Sequence, residues 1–352
     1  MYWVTELARP EIVALQGYKC AVWEPEFVRL HANELPWRHS GDDSRAGLNR
    51  YPEPQPAALI ERLAALYGVT GDRLLVSRGS DEAIDLLIRA FCRAEFDAVL
   101  VCPPTFGMYA VAAQIQGAAI QPVPLRAAEG FALDEEAVLR ACTAQVKIVF
   151  LCSPNNPTGN LLETQAILRI ARTLAGRALV VVDEAYIEFS SAESLARHIG
   201  KHSNLCVLRT LSKAHGLAGA RCGALIADTE VVRLLRKVIP PYAITQLTME
   251  AVLRLLEPRE LDSMRVRVLQ IRAERDYLSD SIARLPGVEK VWSSAANFVL
   301  AQFADAGRAL ERARAAKLLV RDMRAHPELP GALRVSIGTP AQNMRLLRAW
   351  DS

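Results

Sequence analysis

The run Arg209-Thr210-Leu211-Ser212-Lys213-Ala214-His215-Gly216-Leu217-Ala218-Gly219-Ala220-Arg221-Cys222-Gly223 follows a short apolar stretch and mixes hydroxyls, one lysine, arginine and several glycines. That composition describes an anion site built around an amine. A lysine that forms a Schiff base must sit beside a carbonyl cofactor, partly desolvated, while hydroxyls and a guanidinium neutralise a nearby phosphate. An isolated Ser-Lys pair, by contrast, reads more simply as a solvated lysine.

Three further runs supply complementary chemistry. Leu179-Val180-Val181-Val182-Asp183-Glu184-Ala185-Tyr186 is an apolar strand ending in a carboxylate, with a tyrosine three residues on. The carboxylate can pair with a protonated ring nitrogen and the tyrosine with a phenolate on the same ring, because open α/β sheets build sites where parallel strands end. A helix cap by Asp183 and a packed Tyr186 explain that run equally well on its own. Cys152-Ser153-Pro154-Asn155-Asn156-Pro157-Thr158-Gly159 ends a strand in a stiff turn bearing two amides, one of which it would hold at the sheet edge. Ser77-Arg78-Gly79-Ser80-Asp81-Glu82-Ala83 opens a helix after a glycine, leaving backbone N–H groups free for a phosphate, or simply capped by Ser80. Neither Gly-x-Gly-x-x-Gly nor Gly-x-x-x-x-Gly-Lys-Ser/Thr occurs, so the phosphate is not that of a dinucleotide or ATP-type loop.

The elements that must carry these groups alternate from about residue 53 to 253. Short β-like runs at Leu74 to Val76, Ala98 to Cys102, Ile148 to Cys152, Leu179 to Asp183, Leu205 to Leu208 and Gly223 to Ala227 are separated by helical patterns such as Gln55 to Tyr67 and Asp81 to Arg93. This alternation predicts a largely parallel sheet covered by helices on both faces. After Leu256 the pattern changes: Leu261, Met264, Val268, Ile271, Leu278, Ile282 and Leu285 recur at helical spacing, followed by β-like Asn297 to Gln302 and Leu333 to Ile337. The expected organisation is an N-terminal arm or cover (1–45), a large domain (46–255) and a smaller α+β domain (256–352).

The 352 residues are 51% hydrophobic and 23% charged, enough to bury a sizeable core. Lys plus Arg number 42 against 39 Asp plus Glu, a balance of +3 without a basic tail or stripe, which argues against nucleic acid or an acidic membrane as partner. No apolar run approaches the ~18 residues of a membrane helix, and the first residues lack a secretion signal. The expectation is a soluble, cytoplasmic protein. Seven cysteines (Cys20, Cys92, Cys102, Cys142, Cys152, Cys206 and Cys222) lack metal-type spacing and sit mostly in apolar segments, so they read as reduced core residues without a metal.

Taken in order and spacing, Gly79-Ser80-Asp81-Glu82, Ser153 to Gly159, Asp183-Glu184-Ala185-Tyr186 and Ser212-Lys213 with Arg221 resemble the fold-type I pyridoxal-phosphate aminotransferases. His31 to Glu34, Leu48-Asn49-Arg50-Tyr51-Pro52, Pro103 to Tyr109 and Leu333-Arg334-Val335 bring the whole chain closer to the histidinol-phosphate aminotransferase family. The resemblance implies a mainly parallel seven-stranded sheet sandwiched by helices, pyridoxal 5'-phosphate as cofactor, and a Lys213 Schiff base that alternates with the pyridoxamine form. It implies exchange of an amino group between L-histidinol phosphate and 2-oxoglutarate, yielding imidazole acetol phosphate and L-glutamate in histidine biosynthesis. An aromatic-amino-acid aminotransferase or a threonine-phosphate decarboxylase would keep the same cofactor residues.

On this resemblance Lys213 holds the cofactor and shuttles the substrate proton, and Asp183 keeps the pyridine nitrogen protonated. Tyr186 and Asn156 bond the ring oxygen, and Tyr109 stacks on the ring face. Ser80, Asp81, Thr210, Ser212 and Arg221 receive the cofactor phosphate, joined by Tyr51 from the neighbouring subunit of a homodimer. Arg334 takes the substrate carboxylate and Arg321 the substrate phosphate, while Tyr18 and Asn33 line the same pocket. His215 stands where an aromatic is more usual, and reads as a packed ring or a local hydrogen-bonding group without a catalytic role.

Overall fold

The computed structural model describes every residue except Met1, Tyr2, Trp23, Pro25 and Ser352. One sheet is built from β1 (Leu74–Ser77), β2 (Ala98–Val101), β3 (Ala119–Pro122), β4 (Val146–Cys152), β5 (Leu179–Asp183), β6 (Leu205–Thr210) and β7 (Gly223–Ile226). Its spatial order is β1-β7-β6-β5-β4-β2-β3. Strands β3, β2, β4, β5 and β6 run parallel, whereas β7 is antiparallel to both its neighbours.

Strand β5 shows why the sheet is covered on both faces. Successive side chains point to opposite sides of a strand, so Leu179 and Val181 pack into one layer with Ile84 and Leu87 of the helix Ser80–Phe91. Val180 and Val182 enter the other layer with Ile167 and Ile170 of the helix Thr164–Thr173. All four are fully buried, each worth roughly 1.5–3 kcal/mol in removed apolar surface. The absence of a polar alternation in the sequence is the direct consequence. Strand β3 escaped the sequence reading because it lies at the edge, mostly exposed, and ends on Pro122, a residue tolerated only where no further strand pairs.

Parallel pairing places the ends of β4, β5 and β6 level, with Cys152 opposite Asp183 and Asp183 opposite Leu208. The segments that carry Asn156, Asp183 and Lys213 therefore leave the sheet at one edge. A second, antiparallel sheet follows: β8 (Val288–Trp292), β9 (Phe298–Phe303), β10 (Arg321–Asp322) and β11 (Ala332–Ser336), in order β10-β11-β9-β8. It packs Val299, Ala301, Leu333 and Val335 against Leu278, Ile282 and Trp350 of the flanking helices.

The N-terminal segment begins with two five-residue helices, Trp3–Leu7 and Pro10–Ala14. Val4, Leu7 and Ala8 are buried in the large sheet's core. From residue 15 to the helix Ala57–Tyr67 no regular element forms among the described residues. Tyr18, Phe27, Val28, Leu30, Leu35 and Trp37 of this stretch are exposed. Six of the seven cysteines are buried and all are unpaired; Cys20, in the arm, is partly exposed and so departs from the core reading.

Candidate active site

The loop that follows β6 is closed by backbone bonds from Leu211 N–H to the Cys222 carbonyl (3.1 Å) and from Leu217 N–H to the Leu211 carbonyl (3.0 Å). Lys213 stands in this loop at the wall of a cavity of about 150 Å³, its Nζ 5.6 Å from the Tyr186 ring centroid. Desolvation lowers the Lys213 amine from the ordinary lysine range, and the Arg334 guanidinium adds to the effect. Larger hollows exist, such as one of about 460 Å³ beside Arg308 and Trp350, but it is the smaller cavity that gathers an amine, a carboxylate and an anion cradle.

Asp183 ends β5 at the cavity floor, 2% exposed. Its Oδ1 accepts from Ala185 N–H (3.0 Å) and its Oδ2 from the Tyr109 hydroxyl (2.8 Å). Burial pushes the carboxyl up to about 6, against the opposing pull of those two donors. A buried carboxylate fixed at both oxygens and lacking an ion-pair partner of its own suits a cationic group entering the cavity.

Tyr109 does not take the ring-stacking place that the family resemblance implies. Its ring lies parallel to Phe150 at 4.7 Å and is fully buried behind Asp183, so it does not offer a face to the cavity. Phe106, edge-on to Tyr109 at 5.6 Å, lines the cavity instead. The two aromatics lie three residues apart and turn to different sides of the helix start. Removing the hydroxyl by Tyr109→Phe should cost a charge-assisted bond of ~1.5–3 kcal/mol and weaken cofactor retention about tenfold, as read by equilibrium dialysis.

The stiff turn after β4 divides its two amides. Asn155 builds the turn: its side chain donates to the Pro104 carbonyl (2.8 Å) and to Thr158 (2.6 Å), and accepts from Thr105 (2.9 Å). Asn156 faces the cavity, donating to the Tyr186 hydroxyl (3.3 Å) and accepting from Arg334. The peptide bonds before Pro154 and Pro157 are both cis. Tyr186 is buried against Phe298, and burial pushes its hydroxyl above the ordinary tyrosine range.

The opposite end of the cavity is an anion cradle. The helix Ser80–Phe91 opens there from Gly79, whose φ is 79° and whose N-cap position makes no side-chain bond, so first-turn N–H groups remain directed outward. The positive φ favours glycine at position 79, and a Cβ there would meet Arg221 Nη2 at 2.7 Å and push the guanidinium aside. Arg221, itself left-handed at φ 50°, reaches Asp81 (3.1 Å) and the Ser212 hydroxyl (3.3 Å). Thr210 donates to Ser212 Oγ at 3.0 Å, completing the rim.

Lys213, Asp183, Tyr186, Asn156, Ser80, Asp81, Thr210, Ser212 and Arg221 thus share one cavity. Arg334, half-buried on β11, joins it through Asn156. Arg321 pairs opposite Arg334 in the β10–β11 ladder but is exposed and lies outside the lining. Tyr51 stacks on Tyr242 at 4.5 Å in a separate groove that also holds Asn33. Tyr18 borders another, beside Gln55 and Pro240. Within one chain, then, Tyr18, Asn33 and Tyr51 line grooves other than the Lys213 cavity. Phe106 and Cys152, which line the cavity, were not singled out from sequence. Their only signal was adjacency to motif residues.

This geometry coincides with the result of comparison: the model for the aminotransferase class I and II family matches residues 25–349, and the chain belongs to that family. It is 48% identical to the histidinol-phosphate aminotransferase of Stenotrophomonas maltophilia, covering 99% of this chain and 97% of that protein. It is 44% identical to the enzyme of the same name from Xanthomonas axonopodis pv. citri, over 98% and 96% of the two chains. The crystal structure of the Sinorhizobium meliloti histidinol-phosphate aminotransferase in complex with pyridoxal-5'-phosphate superposes with a TM-score of 0.79 at 23% identity, covering 86% of this chain and 82% of that one, and shares the fold.

Proposed function

We propose that this chain transfers the amino group of L-histidinol phosphate to 2-oxoglutarate, with pyridoxal 5'-phosphate held on Lys213. The observation that carries the reading is the placement of an amine, a buried carboxylate and an anion cradle around one cavity. The donor set fits the cofactor. Ser212, Arg221 and the N–H groups at Ser80 and Asp81 would hold its phosphate, Asp183 its ring nitrogen, and Tyr186 with Asn156 its ring oxygen. Phe106 lines the same cavity and would offer the ring an apolar neighbour.

Pyridoxal phosphate supplies an aldehyde for the amine and a ring that takes up the electron pair left at Cα. Lys213 would hold the cofactor and, as a free amine, would carry the proton between the substrate Cα and the cofactor carbon across the substrate nitrogen. Its lowered proton affinity keeps a larger share of the amine neutral and competent as a base. Asp183 keeps the ring nitrogen protonated, and its two fixed donors hold it in place. Arg334 clamps the carboxylate of the oxo acid. Arg334→Lys keeps the charge but loses the fork, and should raise the KM for 2-oxoglutarate roughly 10- to 100-fold, the scale of a lost charged hydrogen bond. Steady-state kinetics with the amino donor held saturating measure it.

The same reading makes the working unit a homodimer in the cytoplasm. Support comes from the arm, where Phe27, Val28, Leu30 and Trp37 are all exposed within eleven residues of sequence, as apolar side chains at a subunit interface would be in a single chain. The partner subunit's Tyr51 would then complete the phosphate cradle. No helix among the described residues is long and apolar enough to cross a membrane, and no side-chain cluster among them could hold a metal ion. Incubating the purified protein with histidinol phosphate and 2-oxoglutarate and measuring glutamate tests the assignment; turnover of phenylalanine or threonine phosphate in its place would refute it.

A further inference from the structure

Behind the cavity floor lies a buried charged group that the proposed reaction does not use directly. Arg209, 7% exposed, sits between two carboxylates: its Nη2 donates to Glu188 Oε1 at 2.7 Å and its Nη1 lies 3.6 Å from Glu184 Oε2. Its guanidinium also covers the Tyr67 ring at 4.5 Å. Glu184 is 2% exposed and accepts from Ser194 and from Leu195 N–H. Arg209 Nε, Glu188 Oε2, the Tyr67 hydroxyl and both His215 ring nitrogens are enclosed without a protein hydrogen-bond partner. His215 feels both the Glu188 carboxylate and the Arg209 guanidinium, so these orphans occupy one neighbourhood.

Each member is joined by a short stretch of backbone to a cavity residue. Glu184 directly follows Asp183, Glu188 comes two residues after Tyr186, and Arg209 and His215 bracket Ser212-Lys213. Removing such ions from water is costly, and apolar side chains of similar volume commonly give equal or greater stability. Stability therefore does not account for the cluster, whereas its position does. We propose that Arg209, clamped by Glu184 and Glu188, is a positioning residue that fixes the end of β6, and with it Lys213, against Asp183 and Tyr186 at the end of β5. The inference rests on the reading of Lys213 as the attachment point.

The test uses the cofactor-free protein and pyridoxal phosphate as the probe. The rate of visible-band formation is followed against pH, and borohydride reduction with peptide mapping identifies the modified lysine. In the triple variant Glu184→Gln, Arg209→Met, Glu188→Leu, melting should occur within a few degrees of the wild type or higher, while capture slows about tenfold and the pH midpoint of the visible band moves. Wild-type capture rate and an unmoved midpoint in the folded variant overturn the proposal. If the triple variant does not fold, Glu188→Gln, which keeps the shape and one acceptor, decides by the same two readouts, with an expected slowing of about threefold. Modification of a lysine other than Lys213 in the wild type would instead remove the functional reading beneath it.

Discussion

Lys213→Ala is expected to lower turnover by at least about 10⁴-fold, while the protein stays folded and keeps its quaternary state. The size follows from two losses at one atom, since the amine both holds the cofactor and moves the substrate proton, and positioned acid–base groups alone supply ~10²–10⁴. The intact fold follows from the surroundings: Lys213 stands at the wall of an open cavity, its Nζ against the Tyr186 ring, and contributes little to the core. Turnover assays with gel filtration and thermal melts check both halves. Activity within a hundredfold of wild type, or an aggregated variant, would contradict the account.

Asp183→Asn is expected to lower turnover about 10³-fold while pyridoxal phosphate is still captured by Lys213, because the amide cannot stabilise the ring cation. The estimate takes the upper end of what one preorganised electrostatic partner is worth. The same substitution has a signature in the cofactor-free protein. The Asp183 carboxyl is raised from an ordinary 3.8 to about 6 by burial, so between these values the folded chain binds more protons than the unfolded one. Unfolding free energy contributed by this group is therefore full below about pH 4 and is lost as pH rises through about 6. The loss is on the order of 3 kcal/mol at 1.36 kcal/mol per pKa unit. Thermal melts from pH 4 to 7 should show the wild type losing stability relative to Asp183→Asn, and parallel curves would contradict the burial argument.

The sheet was legible because its strands are buried on both faces and so carry uninterrupted apolar runs; β5 spans Leu179–Asp183, where Leu179 to Asp183 is the expected run. Elements with weaker signals were not read. Strand β3 is short, exposed and ends in proline, and β10 has two residues, both exposed. The reversed direction of β7 was equally invisible, since a buried four-residue strand looks alike in either sense.

Within the site, residues immediately following strand ends could be placed from sequence, because the parallel register fixes where each strand stops. Side-chain direction could not. Phe106 and Tyr109 share one aromatic stretch, and only packing against Phe150 decides that Tyr109 turns inward to Asp183 while Phe106 faces the cavity. The Glu184–Arg209–Glu188 cluster was hidden for a related reason. Each residue neighbours a recognisable motif in sequence but points to the opposite side of the sheet edge, and charged residues are usually assumed to be solvated. The segment before the helix Ala57–Tyr67 shows the limit of local pattern: Tyr18, Asn33 and Tyr51 sit in stretches without regular structure, where spacing carries no direction.

The most direct measurement mixes the purified, cofactor-loaded protein with L-histidinol phosphate in the absence of any oxo acid and follows the cofactor's visible absorption. The account predicts that the band bleaches in a single turnover, that one equivalent of imidazole acetol phosphate is released, and that adding 2-oxoglutarate restores the band with formation of glutamate. A band that persists with histidinol phosphate yet bleaches with phenylalanine or glutamate would leave the lysine chemistry in place and contradict the assigned substrate. Failure to develop any visible band with pyridoxal phosphate would contradict the central claim about Lys213 itself.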